Sequence, residues 1–357
     1  MQDATDGLES YRKYTFRKWM VLAACVLVVF ASTIWAVCSG SSGLSPLEVI
    51  AALLGQGNER TTLVIWNLRM PRILTAIIGG FGLGMAGCAF QAVLRNPLAS
   101  PSTLGISQGA AFGASVGIIV LGAGGTTAGA IAADIVSINN PYIVTICAFV
   151  GSMLSTMLVL ALSRFKQIGP ESMILAGVAL SALFGGATTL IQYFASDTQI
   201  AAVVFWTFGD LGRTIYPEIA LLSVIVAAST VYFLFNGWNY NAFESGEASA
   251  IGLGINANSV RLTTMAVGSL VTATVVALVG IISFVGLIAP HIMRRFLGGD
   301  NRFLILGSGF MGSVLLVLSD LFARMAIAPI VLPIGAITSF LGAPLFLYLL
   351  FKGVRRH

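Results

Sequence analysis

The residues able to do chemistry are few, and their types exclude more than they suggest. Histidine occurs twice, at His291 and His357, and cysteine four times, at Cys25, Cys38, Cys88 and Cys147. Neither set has the paired spacing of a zinc site or a disulfide framework, so neither is expected. The four lysines, Lys13, Lys18, Lys166 and Lys352, all stand outside any G-x-x-x-x-G-K-[ST] loop. If ATP drives this protein, the ATPase is a separate chain. Ion-coupled carriers keep carboxylates or histidines inside the membrane. Here Glu218 and Asp320 lie at the ends of apolar runs, and no carboxylate lies near the middle of one. An intramembrane hydrolase lacks its His or Asp pair for the same reason, and no ring-forming filter motif of a channel is visible.

These sparse groups must be carried by apolar elements. Of 357 residues, 57% are hydrophobic and 9% charged, whereas a soluble chain carries about 25% charged residues. The 19 Lys+Arg and 14 Asp+Glu cannot solvate a surface of this size. A soluble enzyme, a nucleic-acid binder and a disordered protein are excluded. A membrane-spanning helix needs about 20 apolar residues. The runs Trp19–Cys38, Ile73–Leu94, Leu104–Gly122, Ile143–Leu162, Met173–Tyr193, Ile219–Phe235, Leu262–Phe284, Val285–Phe296, Phe303–Leu321 and Ile334–Phe351 predict ten spans. The eighth is short and broken by Pro290. The first run is too long for a signal-peptide core and lacks an A-x-A site. An all-α polytopic protein is expected, with a cytoplasmic segment over 1–18, one ten-helix domain over 19–351 and a cytoplasmic tail over 352–357.

Charge supports this topology. Arg12, Lys13, Arg17, Lys18, Arg95, Arg164, Lys166, Arg261, Arg294, Arg295, Arg302, Lys352, Arg355 and Arg356 fall on the predicted inner side, as positive charge should. Arg60, Arg69, Arg72, Arg213 and Arg324 fall on the outer side and need another reason. Among the loops, Ser45-Pro46-Leu47-Glu48 reads as a capped start of a short outer helix that Gly55 can end. Gly80-x-x-x-Gly84 and Ser308-x-x-x-Gly312 suit close helix packing. Ala123–Pro141 is a long outer loop, and Ala195–Arg213 either lies on the surface or re-enters. The longest inner loop, 236–261, is helix-permissive and suits a docking surface for a cytoplasmic partner.

Several blocks together resemble the FecCD-type permeases of ABC importers for iron–siderophores, haem and vitamin B12. They begin with Arg69-Met70-Pro71-Arg72, Gln91, Arg95-Asn96-Pro97-Leu98-Ala99, Pro101, Leu104-Gly105 and Gly109-Ala110. Gly246-Glu247, Ala250 and Leu253-Gly254 continue the series. Phe284-Val285-Gly286-Leu287-Ile288, Pro290-His291-Ile292, Arg294, Asp300, Arg302, Asp320, Arg324, Leu332-Pro333-Ile334-Gly335 and Gly342-Ala343-Pro344 complete it. The resemblance implies a ten-helix, vitamin B12 permease-like subunit of a type II importer in the cytoplasmic (inner) membrane, with both termini cytoplasmic. It implies a second permease subunit in a homo- or heterodimer, a cytoplasmic ABC ATPase dimer and an extracytoplasmic substrate-binding protein. No cofactor is expected in this chain, since ATP and magnesium belong to the ATPase; membrane lipid surrounds it and nucleic acid is no partner.

By the same resemblance, Arg69, Arg72 and Arg324 receive carboxylates of the binding protein, and Arg suits that task through its planar fork. Ser245, Gly246, Glu247, Ala250, Leu253 and Gly254 form the ATPase coupling region. Ile168, Gly169 and Pro170 form a cytoplasmic gate, and His291 is a structural hydrogen-bonding residue. The cargo class is a metal chelate, iron–siderophore first, then haem or cobalamin, moved by ATP-driven alternating access. The alternative is a secondary transporter driven by an ion gradient. Four positions depart from the pattern: Asp210 replaces Ser in W-x-x-G-S-L, Val331 replaces Glu, Asn301 replaces His and Ile251 replaces Arg.

Overall fold

The structure, a computed structural model, describes residues 2–40, 45–125, 137–138, 140–166 and 169–354. Ile168, Arg355, Arg356 and most of the predicted outer loop 123–141 lie outside the described residues. The described residues form helices and connecting loops, with one two-residue antiparallel strand pair, β1 (Gly124–Gly125) and β2 (Ser137–Ile138).

The long helices follow the apolar runs. They are α1 (Gln2–Cys38), α4 (Met70–Leu94), α6 (Pro141–Lys166), α7 (Pro170–Tyr193), α9 (Tyr216–Phe235), α12 (Ala257–Val279) and α14 (Asn301–Met325). Among the described residues, seven helices are long and apolar enough to cross a membrane. Ile106–Val120, which joins α5 (Ile106–Ser115) to a π-turn, and α15 (Ile334–Val354) are shorter apolar elements. Together with α13 (Val285–Leu297) they match the ten expected spans. Short helices fill the links: α2 (Pro46–Leu53), α3 (Glu59–Leu63), α8 (Asp197–Thr207), α10 (Gly237–Glu244) and α11 (Glu247–Gly252). The capping box at Ser45 and Glu48 forms as expected, and Gly55 follows with φ 75°.

One predicted span changes. The run Leu262–Phe284 does not stay helical to its end, because α12 stops at Val279 and Gly280 turns away with φ 87°. Residues 280–284 then run irregularly into α13. Bare backbone is tolerated at membrane depth only when protein covers it. Here the Asp210 N–H donates to the Val279 carbonyl at 2.7 Å, and the Gly335 N–H to Phe208 at 3.0 Å. The start of α15 and the end of α8 thus close over the break. Helix α8 inserts Ala202, Val203 and Trp206 among Ala110, Ala114 and Val276, so segment 195–213 packs into the bundle rather than lying flat.

The core is built on α4, α12 and α14, and α4 is buried without interruption from Gly82 to Leu94. The two small-residue motifs face one another. A methyl group on Gly80 would overlap Gly312, and one on Gly84 would overlap Ser308. The helices therefore touch backbone to backbone, which no larger residue permits. At the other extreme, α7 buries only Met173, Gly177 and Phe184 within this chain.

Candidate functional site

Polar groups gather at both ends of the bundle. At one end, α4 begins beside the last turn of α14 and the loop after α8. Arg72 Nε donates to Asp320 Oδ1 at 2.6 Å, and Arg324 Nε donates to Asp320 Oδ2 at 2.9 Å. One carboxylate, 1% exposed, thus holds two guanidinium groups that are themselves 12% and 10% exposed. Arg324 also donates to the carbonyls of Ala36 in the last turn of α1 and Ser39 just after it, and Arg69 to that of Val37. These last carbonyls of α1 have no helical partner, and the arginines supply it. A second aspartate, Asp210, lies 3.0 Å from Arg72 and is 43% exposed.

The three arginines predicted as a docking set therefore form one cluster, although 252 positions separate Arg72 from Arg324. They line a single cleft of about 360 Å³ with Asp210, Gly212 and Pro71. Three guanidinium groups against two carboxylates leave it net positive. Arg213 has a different role from these. It donates to the carbonyls of Phe205 and Trp206 at 2.7 and 3.3 Å and so caps the C-terminus of α8. Burial lowers the affinity of Arg213 for its proton, and Asp210 acts against that. Arg60 is exposed.

The opposite end carries the predicted inner groups. Asp300 caps α14 and accepts from Arg302 at 2.7 and 2.9 Å, Asn241 at 2.9 Å and Lys18 at 3.2 Å. Burial alone would raise its pKa, but these hydrogen bonds outweigh it and hold the carboxyl well below the usual range. Asn301, where the family pattern has His, is fully buried and donates to Glu244. This network fastens α10 to α14. Burial also pushes Glu244 above the usual carboxylate range, against the opposing pull of Arg294.

Helix α11 holds the predicted coupling residues. Glu247 accepts from Arg261 at 2.7 Å, and Arg261 Nε reaches the Val93 carbonyl at the end of α4. Ala250 is buried, while Ile251 and Leu253 are 59% and 72% exposed. Ser245 accepts from Ser249 through its carbonyl. Gly246 and Gly254 flank the helix at φ 113° and 82°, a region open to few residues but glycine. The helix is braced beneath and apolar at its tip.

Gly169 and Pro170 open α7, with Pro in the first turn. They line a cavity of about 500 Å³ with Arg95, Asn96, Pro97 and Glu247. The predicted gate and coupling segments are thus brought together around the end of α4, where Arg95 takes a left-handed conformation. Sequence reasoning assigned Arg95 to topology and missed that it stands between them; its place in the Arg-Asn-Pro block was the available signal. His291 is a correction: it is part-buried and forms no side-chain hydrogen bond among the described residues.

Comparison with known proteins adds an independent line. The FecCD transport family profile matches residues 26–352. An inferred ABC transporter permease protein of Methanocaldococcus jannaschii is 51% identical, over 98% of this chain and 99% of that protein. The hemin transport system permease protein of Yersinia pestis is 32% identical over 81% and 83% of the two chains. The vitamin B12 import system permease protein of Vibrio cholerae is 32% identical over 95% and 92%. A solved structure of an inferred metal-chelate-type ABC transporter, in an inward-facing conformation, superposes with a TM-score of 0.80 at 27% identity, covering 93% of this chain and 99% of that one.

Proposed function

The chain belongs to the FecCD transport family, and from that premise we propose that it is the permease subunit of a binding-protein-dependent ABC importer for a metal chelate. The observation that carries the reading is the opposition of two surfaces: an arginine-lined cleft at one end and a braced helix with an apolar tip at the other. The cleft suits carboxylates on a substrate-binding protein outside the membrane. The apolar tip of α11 suits a cleft on a cytoplasmic ATPase. Both termini are then cytoplasmic, in agreement with the distribution of basic residues.

A second permease subunit completes the transport path. Helix α7 buries little of itself here, and three of its hydroxyls are satisfied within the helix: Ser181 donates to Gly177, Thr188 to Phe184 and Thr189 to Gly185. Such a face offers small, uncharged groups to a bulky chelate and no deep trap. ATP closure on the partner ATPase moves α11, and Glu247–Arg261 passes that movement to α12 and the end of α4 beside the gate at Gly169 and Pro170. This is alternating access. Among cargoes, iron–siderophore leads, with haem and cobalamin next, the latter two being carried by the named relatives.

The test is uptake into vesicles holding permease and ATPase, with ferric siderophore, haem and cobalamin offered in turn. Uptake that needs both ATP and added binding protein supports the reading. Uptake driven by a proton gradient alone sinks it and favours a secondary transporter.

A further inference from the structure

The two aspartates in the arginine cleft differ in kind. Asp320 is buried and takes the Nε donors of both Arg72 and Arg324. Removing it would strand two buried cations, so it is structural. Asp210 is 43% exposed and engages a different edge of Arg72, the terminal nitrogen Nη1, at 3.0 Å. Its backbone is fixed: the Asp210 N–H donates to Val279. Its Oδ1 also accepts from the Gly212 N–H at 2.9 Å, closing the turn Leu211–Arg213. Only the carboxylate is positioned to exchange partners, and exposed ion pairs of this kind are weak.

We propose that Asp210 is a built-in stand-in for the docking partner's carboxylate. It holds Arg72 splayed toward the cleft when the cleft is empty and yields that guanidinium edge when a partner carboxylate arrives. The inference rests on the docking reading above and adds to it a residue that sets affinity. With Asp210 present, the five charged groups of the cleft sum to one positive charge; without its carboxylate they sum to two. Asp210 therefore makes docking weaker and release faster than the arginines alone would. A permease that must dock and discharge repeatedly gains turnover from such a competitor.

Asp210→Ser is the informative variant, because a serine hydroxyl also caps a turn N–H while carrying no charge. The measurement is binding of the cognate substrate-binding protein to permease–ATPase complex in nanodiscs, from about 20 to about 500 mM salt. Wild type, Asp210→Ser, Arg72→Gln and the double variant are compared, each checked for monodisperse elution. The expected result is about three- to tenfold tighter binding for Asp210→Ser at low salt, through slower dissociation, with the gain fading at high salt. Arg72→Gln weakens binding, and adding Asp210→Ser to it restores nothing. If Arg72→Gln weakens binding but Asp210→Ser leaves it unchanged or weaker, the stand-in role is overturned and docking survives. If Arg72→Gln has no effect, both are overturned.

Discussion

Asp320→Asn tests the physical centre of the arginine cluster. Asparagine keeps the shape of the side chain but removes its charge and turns one acceptor into a donor. One of the two Nε donors, from Arg72 at 2.6 Å or from Arg324 at 2.9 Å, then faces an N–H instead of an oxygen. The carboxylate is 1% exposed, so water cannot replace it. Breaking a buried pair by removing one partner costs about 3–5 kcal/mol, and two arginines share this one, so the upper half of that range is expected. Arg324 has carbonyl partners at Ser39 and Ala36 and Arg72 has Asp210, which hold the loss below the sum of two broken pairs. Reversible unfolding in mixed micelles gives the free energy directly. In a double variant with Arg324→Gln the further loss should be well under that of Arg324→Gln alone, because the partner is already gone. A loss under about 1 kcal/mol for Asp320→Asn, the level of a surface ion pair, would falsify the view that the cluster is desolvated.

Three further outcomes are expected. Gly84→Ala places a methyl group against Ser308 and should destabilise the bundle by about 1–3 kcal/mol, the usual cost of overpacking; unchanged stability in the same unfolding assay would mean the helices are not in backbone contact. Gly254→Val sits at φ 82° with open space around it, so its penalty of about 1–2 kcal/mol is conformational; it should reduce ATPase retention on purification without aggregation, and full retention with normal transport counts against the coupling role of α11. Asp300 is held below its unfolded pKa, so it contributes stability that is present above that unfolded value and lost as pH falls below it toward the folded one. Asp300→Asn should flatten the fall in stability between about pH 5 and pH 3, and an unchanged acid limb would show that the Lys18–Asp300–Arg302 network contributes nothing there.

The helices were legible because lipid imposes a simple rule: runs of apolar residues, interrupted by charge, define elements. One misread boundary, Phe284, shows where that rule is silent. Hydrophobicity continues through Gly280–Phe284, and the break shows only in the folded chain, in the positive φ of Gly280 and the hydrogen bond from Asp210, beyond α8, to Val279. Arginine placement was readable as an exception to topology, but its partners were not. Asp210, Asp320 and the end of α1 come from three distant stretches, and no local pattern announces that Arg69, Arg72 and Arg324 meet there. Arg213 illustrates the same gap, since its task as a cap of α8 depends on how the following turn folds back. His291 drew attention as one of two histidines, yet its side chain bonds to nothing described.

The seam between α4 and α14 has a mechanical consequence. Contacts made through side chains can adjust, since rotamers offer several settings of nearly equal energy. Where Gly80 and Gly84 lie on Gly312 and Ser308, there are almost no side chains to adjust. The pair has one setting and behaves as a single stiff plank with the arginine cleft at one end and the Lys18–Asp300 knot at the other. Whatever swings during a transport cycle must pivot about that plank rather than within it, and the hinges should be sought where α13 and α15 meet it.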